Sequence, residues 1–266
     1  MKVQSLYLYP VKSLAGVEVP GFELDDFGPK GDRRWMIVDD QNRFVTQRQV
    51  PRLALVSAVM SDDAVEVQIP DQGRFSLVPQ EEEQVRVVVW RDTVDALMGD
   101  PAASAALSEF CGVPLRFVYM PDSSFRRVDP ERVADNRRVG FADGFPFLLT
   151  NQASLDELNT RLTQPVSMTR FRPNIVIQGV PAWAEDNWRP LVIGTVGFQV
   201  VKPCSRCVLT TVDPETGIKD AGTEPLKTLS TYRKTPDGVI FGQNAIHLSS
   251  GRISVGDSVA ISQQES

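Results

Sequence analysis

Apolar and polar positions alternate in short runs over much of the chain. Val65, Val67 and Ile69 are separated by polar residues, Asp71-Gln72-Gly73 offers a turn, and Phe75 and Leu77 resume the alternation before the Val85–Trp90 run. A period of two broken by Gly and Asp is the pattern of strands joined by tight turns. Pro101 to Phe110 is Ala-rich and stops at Cys111-Gly112, which predicts a short helix with a glycine terminator.

The character changes at residues 121–140, where five arginines, four acids and two prolines fall within twenty residues. This stretch reads as a polar connection between two halves, either a solvated surface loop or a loop facing an anion. The second half opens with Gly-Phe-Pro-Phe-Leu-Leu-Thr, a buried-strand run, followed by a capping-box pattern at Ser154 to Glu157 and a helical face of Leu155, Leu158 and Leu162. Further strands are predicted at Asn174–Ile177, Leu191–Val201, Val208–Val212 and Val239–Phe241, with a closing alternating pair around Gly256-Asp257. Many short strands and few helices predict a mainly β fold with helical additions (α+β), barrel-like in architecture. The domain boundaries expected are 1–120, a connection at 121–140, and 141–262.

Composition narrows the chemistry. The 266 residues suffice for two small domains, and a formal charge of −6 argues against a dedicated nucleic-acid binder. One histidine rules out multi-histidine metal sites, and three cysteines are too few for a disulfide scaffold or an all-cysteine iron–sulfur cluster. The longest uncharged apolar stretch, Leu191–Val201, is far shorter than the roughly 18–20 residues of a membrane span. No signal-peptide pattern precedes the first strand, and the free thiols then predict a cytoplasmic protein without a membrane partner.

The phosphate-loop, dinucleotide-binding and nucleophile-elbow patterns are absent. A cysteine–histidine pair would have to use His247, which sits in a strand-like run and reads as structural. The obvious constellation is Cys204-Ser205-Arg206-Cys207. Its spacing alone leaves two structural thiols, a zinc half-site and a redox pair open. Lys202 and Arg206 flank the thiols with cations, and a thiolate is the soft ligand that a heavy transition metal prefers. Two polar clusters lie far away in sequence. Tyr9-Pro10-Val11-Lys12-Ser13 follows an apolar strand, and Arg170-Phe171-Arg172-Pro173-Asn174 precedes another. Either is a surface salt bridge or an anion grip built from arginine forks and a lysine.

Taken in order, YPVKSLAG (9–16), GDRRWMIVD (31–39), FVTQRQVPRLALV (44–56), GFPFLLTNQASLDELN (144–159), RFRPNIVI (170–177), AEDNW (184–188), CSRCVLTTVDPETG (204–217) and GQNAIHLSSGRISVGDSV (242–259) make the chain resemble the MOSC superfamily. The branch resembled has an N-terminal MOSC β-barrel domain and includes the mitochondrial amidoxime-reducing component and bacterial YcbX-like proteins. The resemblance implies a MOSC β-barrel domain behind a barrel-like N-terminal one, and a molybdenum cofactor (Mo-molybdopterin) whose metal is held by a protein cysteine. By position in the motif that ligand is Cys207, with Cys204 secondary. The resemblance further implies cofactor contacts from Lys12, Ser13, Arg33, Arg172 and Asn174, from Ser205 and Arg206 beside the ligand, and from Asn151, where relatives carry Ser-Glu at the Asn151-Gln152 pair.

The function implied is reduction of small N-hydroxylated compounds by two-electron removal of oxygen, the hard chemistry belonging to the cofactor. With no cysteines for an iron–sulfur cluster, electrons are expected from an external donor: a flavin, ferredoxin-like or cytochrome-type reductase. Asp143 is a candidate general acid, and the cleft is expected where the two halves meet. Two rivals remain. One is a carrier of the cofactor or of sulfur; pyridoxal phosphate, used in cofactor sulfuration, would then sit on a separate partner. The other is a cofactor-free redox switch made of Cys204 and Cys207.

Overall fold

A computed structural model describes residues 1–61 and 64–261. Its largest sheet has nine strands. The main path runs Val259–Ile261, Pro190–Ile193, Val196–Ser205, Gly238–His247, Phe147–Asn151, Ile175–Gln178, Lys2–Leu8 and Val17–Val19, and Lys234–Thr235 pairs with Gly238–His247. A bridge from Lys2 to Ser258, supported by Val3 N–H to the Asp257 carbonyl at 2.9 Å, joins the Val259–Ile261 end of this path to Lys2–Leu8, the strand next to its other end. The sheet therefore closes on itself as a barrel, which removes the exposed edges an open sheet would present. Its interior holds Leu6, Phe147, Ile175, Phe198 and Ala245, with Phe147 and Phe198 edge to face at 5.1 Å.

Every residue of Phe147–Asn151 is buried, which explains its unbroken apolar run. One side of this strand faces the barrel core. Beside it the helix Gln152–Asn159 presses Leu155 and Leu158 into a second cluster with Phe171, Val176 and Phe241. The helix begins one turn earlier than the Ser154 capping pattern predicts. Asn151 is its cap, accepting from the Ala153 N–H at 3.1 Å, while the Ser154 hydroxyl donates to the buried carboxylate of Glu185 at 2.7 Å. A buried acceptor nearby outcompetes the local cap geometry for Ser154.

The first half builds two smaller antiparallel sheets. One orders Trp35–Val38, Arg116–Tyr119, Asp92–Met98 and Gln80–Val89, and the other orders Ser57–Ser61, Ala64–Ile69 and Gly73–Leu77. The predicted helix is present at Pro101–Cys111. Asp100 caps it through the Ala103 N–H at 2.8 Å, and Gly112 ends it at φ 71°. Its Ala103, Leu107 and Phe110 pack against Leu53, Val67 and Phe117.

The halves interleave. Lys2–Leu8 from the start of the chain lies in the barrel of the second half, and Gly251–Ser254 from the end pairs with Gly21–Asp25. The Arg-rich connection is not simply solvated. Arg126 is buried, ion-paired to Asp92 at 2.7 Å, and donates to the carbonyls of Gly140, Ala142 and Asp143. One guanidinium thereby holds the loop that leads into the barrel.

Candidate functional site

Three segments that each carry a residue in the left-handed conformation meet between the halves. Among the described residues eight non-glycines have positive φ, and Ser13 (71°), Arg33 (46°) and Arg172 (56°) are three of them. Such conformations are disfavoured for side-chain-bearing residues and persist where the surroundings impose them. Here the surroundings are specific. The Asp32 carboxylate accepts the Tyr9 N–H at 2.8 Å and binds its neighbour Arg33 at 2.5 Å. Arg33 also donates to the Asn174 side-chain oxygen at 3.0 Å and to the Arg172 carbonyl at 3.3 Å, and Arg172 donates to the Leu14 carbonyl at 2.6 Å. Each of these last three bonds crosses from one half to the other.

The ring of Tyr9 touches both forks, 4.3 Å from the Arg33 guanidinium and 4.2 Å from that of Arg172. Contact with the electron-rich ring helps two cations stand this close. Gly16 has no side chain because a Cβ there would overlap the Tyr9 ring. Lys12, only 6% exposed, completes the group and forms an ion pair with Asp143.

The cluster is short of negative charge. Burial, with Arg33 adding repulsion, pulls Arg172 down to about 10, and burial lowers Lys12 against the pull of Asp143. Burial likewise raises the Asp32 carboxyl, against the pull of Arg33. For Asp143, burial works upward, but the charge and hydrogen bond of Lys12 and the indole N–H of Trp90, at 3.1 Å, outweigh it and hold the carboxyl well below the usual range. Asp143 is therefore ionised at neutral pH, a hydrogen-bond acceptor rather than the general acid anticipated from its place in the chain. Its side chain is nonetheless exposed, with 75% of its surface meeting solvent.

Unsatisfied donors gather at the same place. The Tyr9 hydroxyl, Arg172 Nη2 and Arg206 Nε are buried without a hydrogen-bond partner. A buried guanidinium nitrogen left unpaired costs about 1–3 kcal/mol, more for its charge, and a further acceptor would remove that cost here, although Arg137 Nε and Arg233 Nε lack a hydrogen-bond partner elsewhere too.

The cysteine motif joins the cluster through Arg206. That residue donates to the Cys204 sulfur at 2.9 Å and to the carbonyl of Phe171, the neighbour of Arg172, at 2.8 Å. Arg170 fastens the two motifs a second time, to the Thr211 carbonyl at 3.2 Å and Asp213 at 2.8 Å. Cys204 is half-buried at the end of Val196–Ser205, whereas Cys207 is exposed and both thiols are free. Val208–Thr211 is a single 3-10 turn rather than the predicted strand, because Thr210 and Thr211 spend their hydroxyls on the carbonyls of Cys207 and Val208. Ser205 donates to the Asp237 carbonyl at 2.6 Å.

Two predicted contacts have other work. Asn151 is fully buried. Its oxygen caps the helix, and its nitrogen donates to the Pro181 carbonyl at 2.7 Å and to Glu185 at 3.1 Å, so its donors and cap position are already used. It also sits three positions along the strand from the level of Asn174, whose N–H bonds the Leu148 carbonyl at 2.9 Å. In this structure Asn151 is a helix cap in a buried polar network. Asn174 belongs to the cluster, but its oxygen accepts from Arg33 and from the Leu148 N–H, and its nitrogen donates to the Tyr7 carbonyl. It acts by orienting Arg33.

Pattern reading gave no role to Asp32, Arg126 or Trp90, and named Tyr9 only as the first residue of the cluster that ends at Ser13. Asp32 adjoins Arg33, and Arg126 lay unmarked within the Arg-rich connection. Trp90 carried one signal: a large aromatic at a two-residue turn between paired Val89 and Asp92, with φ 56° and 43% exposure.

Among the described residues no three His, Cys, Asp or Glu side chains gather as a metal-ligand set. A metal at this place would rely on one thiolate and on ligands that it brings with it. Cavities of about 510 Å³ beside the Pro101–Cys111 helix and about 550 Å³ around His247 share no lining residue with the cation cluster. Volume alone does not locate this site; converging charge does.

Comparison with known proteins agrees with the sequence pattern. The MOSC domain family matches residues 136–260, and the MOSC N-terminal beta barrel domain family matches residues 1–114. Mitochondrial amidoxime-reducing component 1 of Homo sapiens is 36% identical over 282 residues, covering 97% of this chain and 82% of that protein. Mitochondrial amidoxime reducing component 2 of Bos taurus is 34% identical over 242 residues, covering 87% and 72%. The solved YUAD protein of Bacillus subtilis aligns over 97% of this chain and 93% of its own at 11% identity, with a TM-score of 0.43, a likeness too loose to bear on function.

Proposed function

Because the chain belongs to the MOSC family, in the branch with an N-terminal MOSC beta barrel domain, we propose that it is a molybdenum-cofactor-dependent reductase of small N-hydroxylated compounds. The observation that carries this reading is the meeting of Lys12, Arg33 and Arg172 around unpartnered buried donors, with Arg206 linking them to an exposed cysteine one residue on.

The residues suit a phosphate-bearing, thiolate-bound group. Lys12, Arg33 and Arg172 supply point charge and planar forks for its phosphate, Arg172 Nη2 and Arg206 Nε being the donors that lack acceptors. Ser13 lies beside Lys12 in the same left-handed turn. Cys207 is the metal ligand, and Arg206 and Ser205 shape the strand end that presents it. Tyr9 and Asn174 keep the two forks in register, and Asp32 neutralises part of their charge. When bound, the cofactor supplies the two-electron chemistry that removes oxygen from an N–O bond. The protein orients substrate at the mouth between the halves, where Asp143 and Trp90 form part of the wall. The electrons come from a separate flavin, ferredoxin-like or cytochrome-type donor, and the setting proposed is the cytoplasm.

The test is a paired assay on protein made in a cofactor-competent host. Molybdenum per chain and release of a fluorescent oxidised pterin are measured first, then turnover of a benzamidoxime-type substrate with an artificial electron donor. Bound cofactor with turnover is the expected result. Protein free of both metal and pterin would sink the reading, and loaded protein without turnover would leave a carrier in its place.

A further inference from the structure

We propose that Asp143 is the resident counter-ion of the cation cluster and competes with the phosphate of an anionic ligand for Lys12. This rests on the reading of the cluster as an anion site and adds a residue that sets how tightly the site holds its ligand.

Two carboxylates stand among the three cations Lys12, Arg33 and Arg172, and they are held differently. Asp32 is buried and committed to the Tyr9 N–H and to Arg33. Asp143 shares Lys12 and the Trp90 indole N–H, and its remaining surface is open to water. Its backbone is fixed, because Arg126 donates to its carbonyl and Phe141 N–H bonds the Arg33 carbonyl at 2.7 Å. Only the side chain is then free to move.

The two partners would fare unequally if the pair opened. Asp143 would turn to solvent and remain hydrated, whereas Lys12 would be left as a buried, unpaired ammonium. Lys12 therefore keeps its charge most readily with an oxyanion beside it, and a ligand phosphate is a second candidate for that place. Exchanging one oxyanion for another keeps Lys12 paired, so the exchange is close to balanced. Trp90, whose ring packs against Phe44 at 5.0 Å and under Arg48 at 4.7 Å, favours the incumbent by holding its carboxylate in place.

This competition predicts the sign of a mutational effect that a supporting role would reverse. Inorganic phosphate is titrated calorimetrically into cofactor-free protein at constant ionic strength. Asp143→Asn, which keeps the side-chain shape and removes the competing charge, is expected to bind phosphate on the order of tenfold more tightly than wild type. Asp143→Glu restores the charge and should return affinity toward wild type. Glu23→Gln, at an exposed carboxylate paired with Arg252, changes net charge equally and should leave affinity within about twofold. Trp90→Phe keeps the ring, loses the indole N–H, and should tighten binding by about threefold. It reads the same competition should Asp143→Asn not fold. Phosphate affinity unchanged or weakened in both Asp143→Asn and Trp90→Phe would overturn the counter-ion role while leaving the anion site intact. Wild-type protein that binds no phosphate would overturn the anion site itself.

Discussion

At the scale of single residues, the two cysteines of one motif have different surroundings. Cys204 is half-buried and accepts from Arg206, whereas Cys207 is exposed at the start of a turn. Cys207→Ser is expected to abolish both molybdenum retention and turnover, and Cys204→Ser to keep most of each; metal analysis beside a turnover assay checks this. Arg172 tests the fork. Its side chain stacks on Tyr9 and donates to the Leu14 carbonyl, functions that a point ammonium cannot reproduce together. Arg172→Lys should weaken phosphate binding by about tenfold although the charge is kept, as read by titration.

At the scale of elements, the loop into the barrel depends on one buried side chain. Arg126→Met leaves Asp92 and three carbonyls without their donor and is expected to destabilise the fold by about 3–5 kcal/mol, measured by urea unfolding. Asn151 separates a structural from a ligand-binding role. As the cap of Gln152–Asn159, its replacement by Ala should cost about 1–2 kcal/mol of stability and leave phosphate affinity unchanged. Much of the element pattern was legible in sequence. The Val65–Leu77 hairpin and the Pro101–Cys111 helix follow from period, turn residues and a glycine stop. The Val208–Val212 strand and the Ser154 cap did not follow, because threonine hydroxyls bonded locally and Ser154 found a buried glutamate thirty-one residues away.

At the scale of the whole molecule, a single histidine makes the pH response readable. Burial, with the Arg137 charge adding to it, holds His247 below its ordinary 6.5. The unfolded chain therefore takes up this proton at a higher pH than the folded one. The stability linked to it is fully present above about pH 6.5 and is lost as pH falls through the lower folded value. His247→Gln is expected to flatten the decline in stability between about pH 7.5 and about pH 5, seen as the difference between the two proteins' urea unfolding free energies across that range. Asp32 and Glu185, which burial pushes upward, oppose that trend in both proteins and cancel in the difference.

The sequence by itself determined the strand-rich pattern, the helix with its stop, the order of motifs and the family they resemble. Those are local properties, written in periodicity and in short runs of residues. Tertiary structure alone decided which of the motif residues meet. Lys12 reaches Asp143 across 131 positions and Arg33 reaches Asn174 across 141, and both meetings depend on the first strand entering a barrel built by the second half. The same closure placed Asn151 in a buried polar network away from the cluster and gave Asp143 a lysine for a neighbour. A side chain's charge state and partners are set by what surrounds it in space, and for this chain those surroundings come almost entirely from residues distant along the sequence.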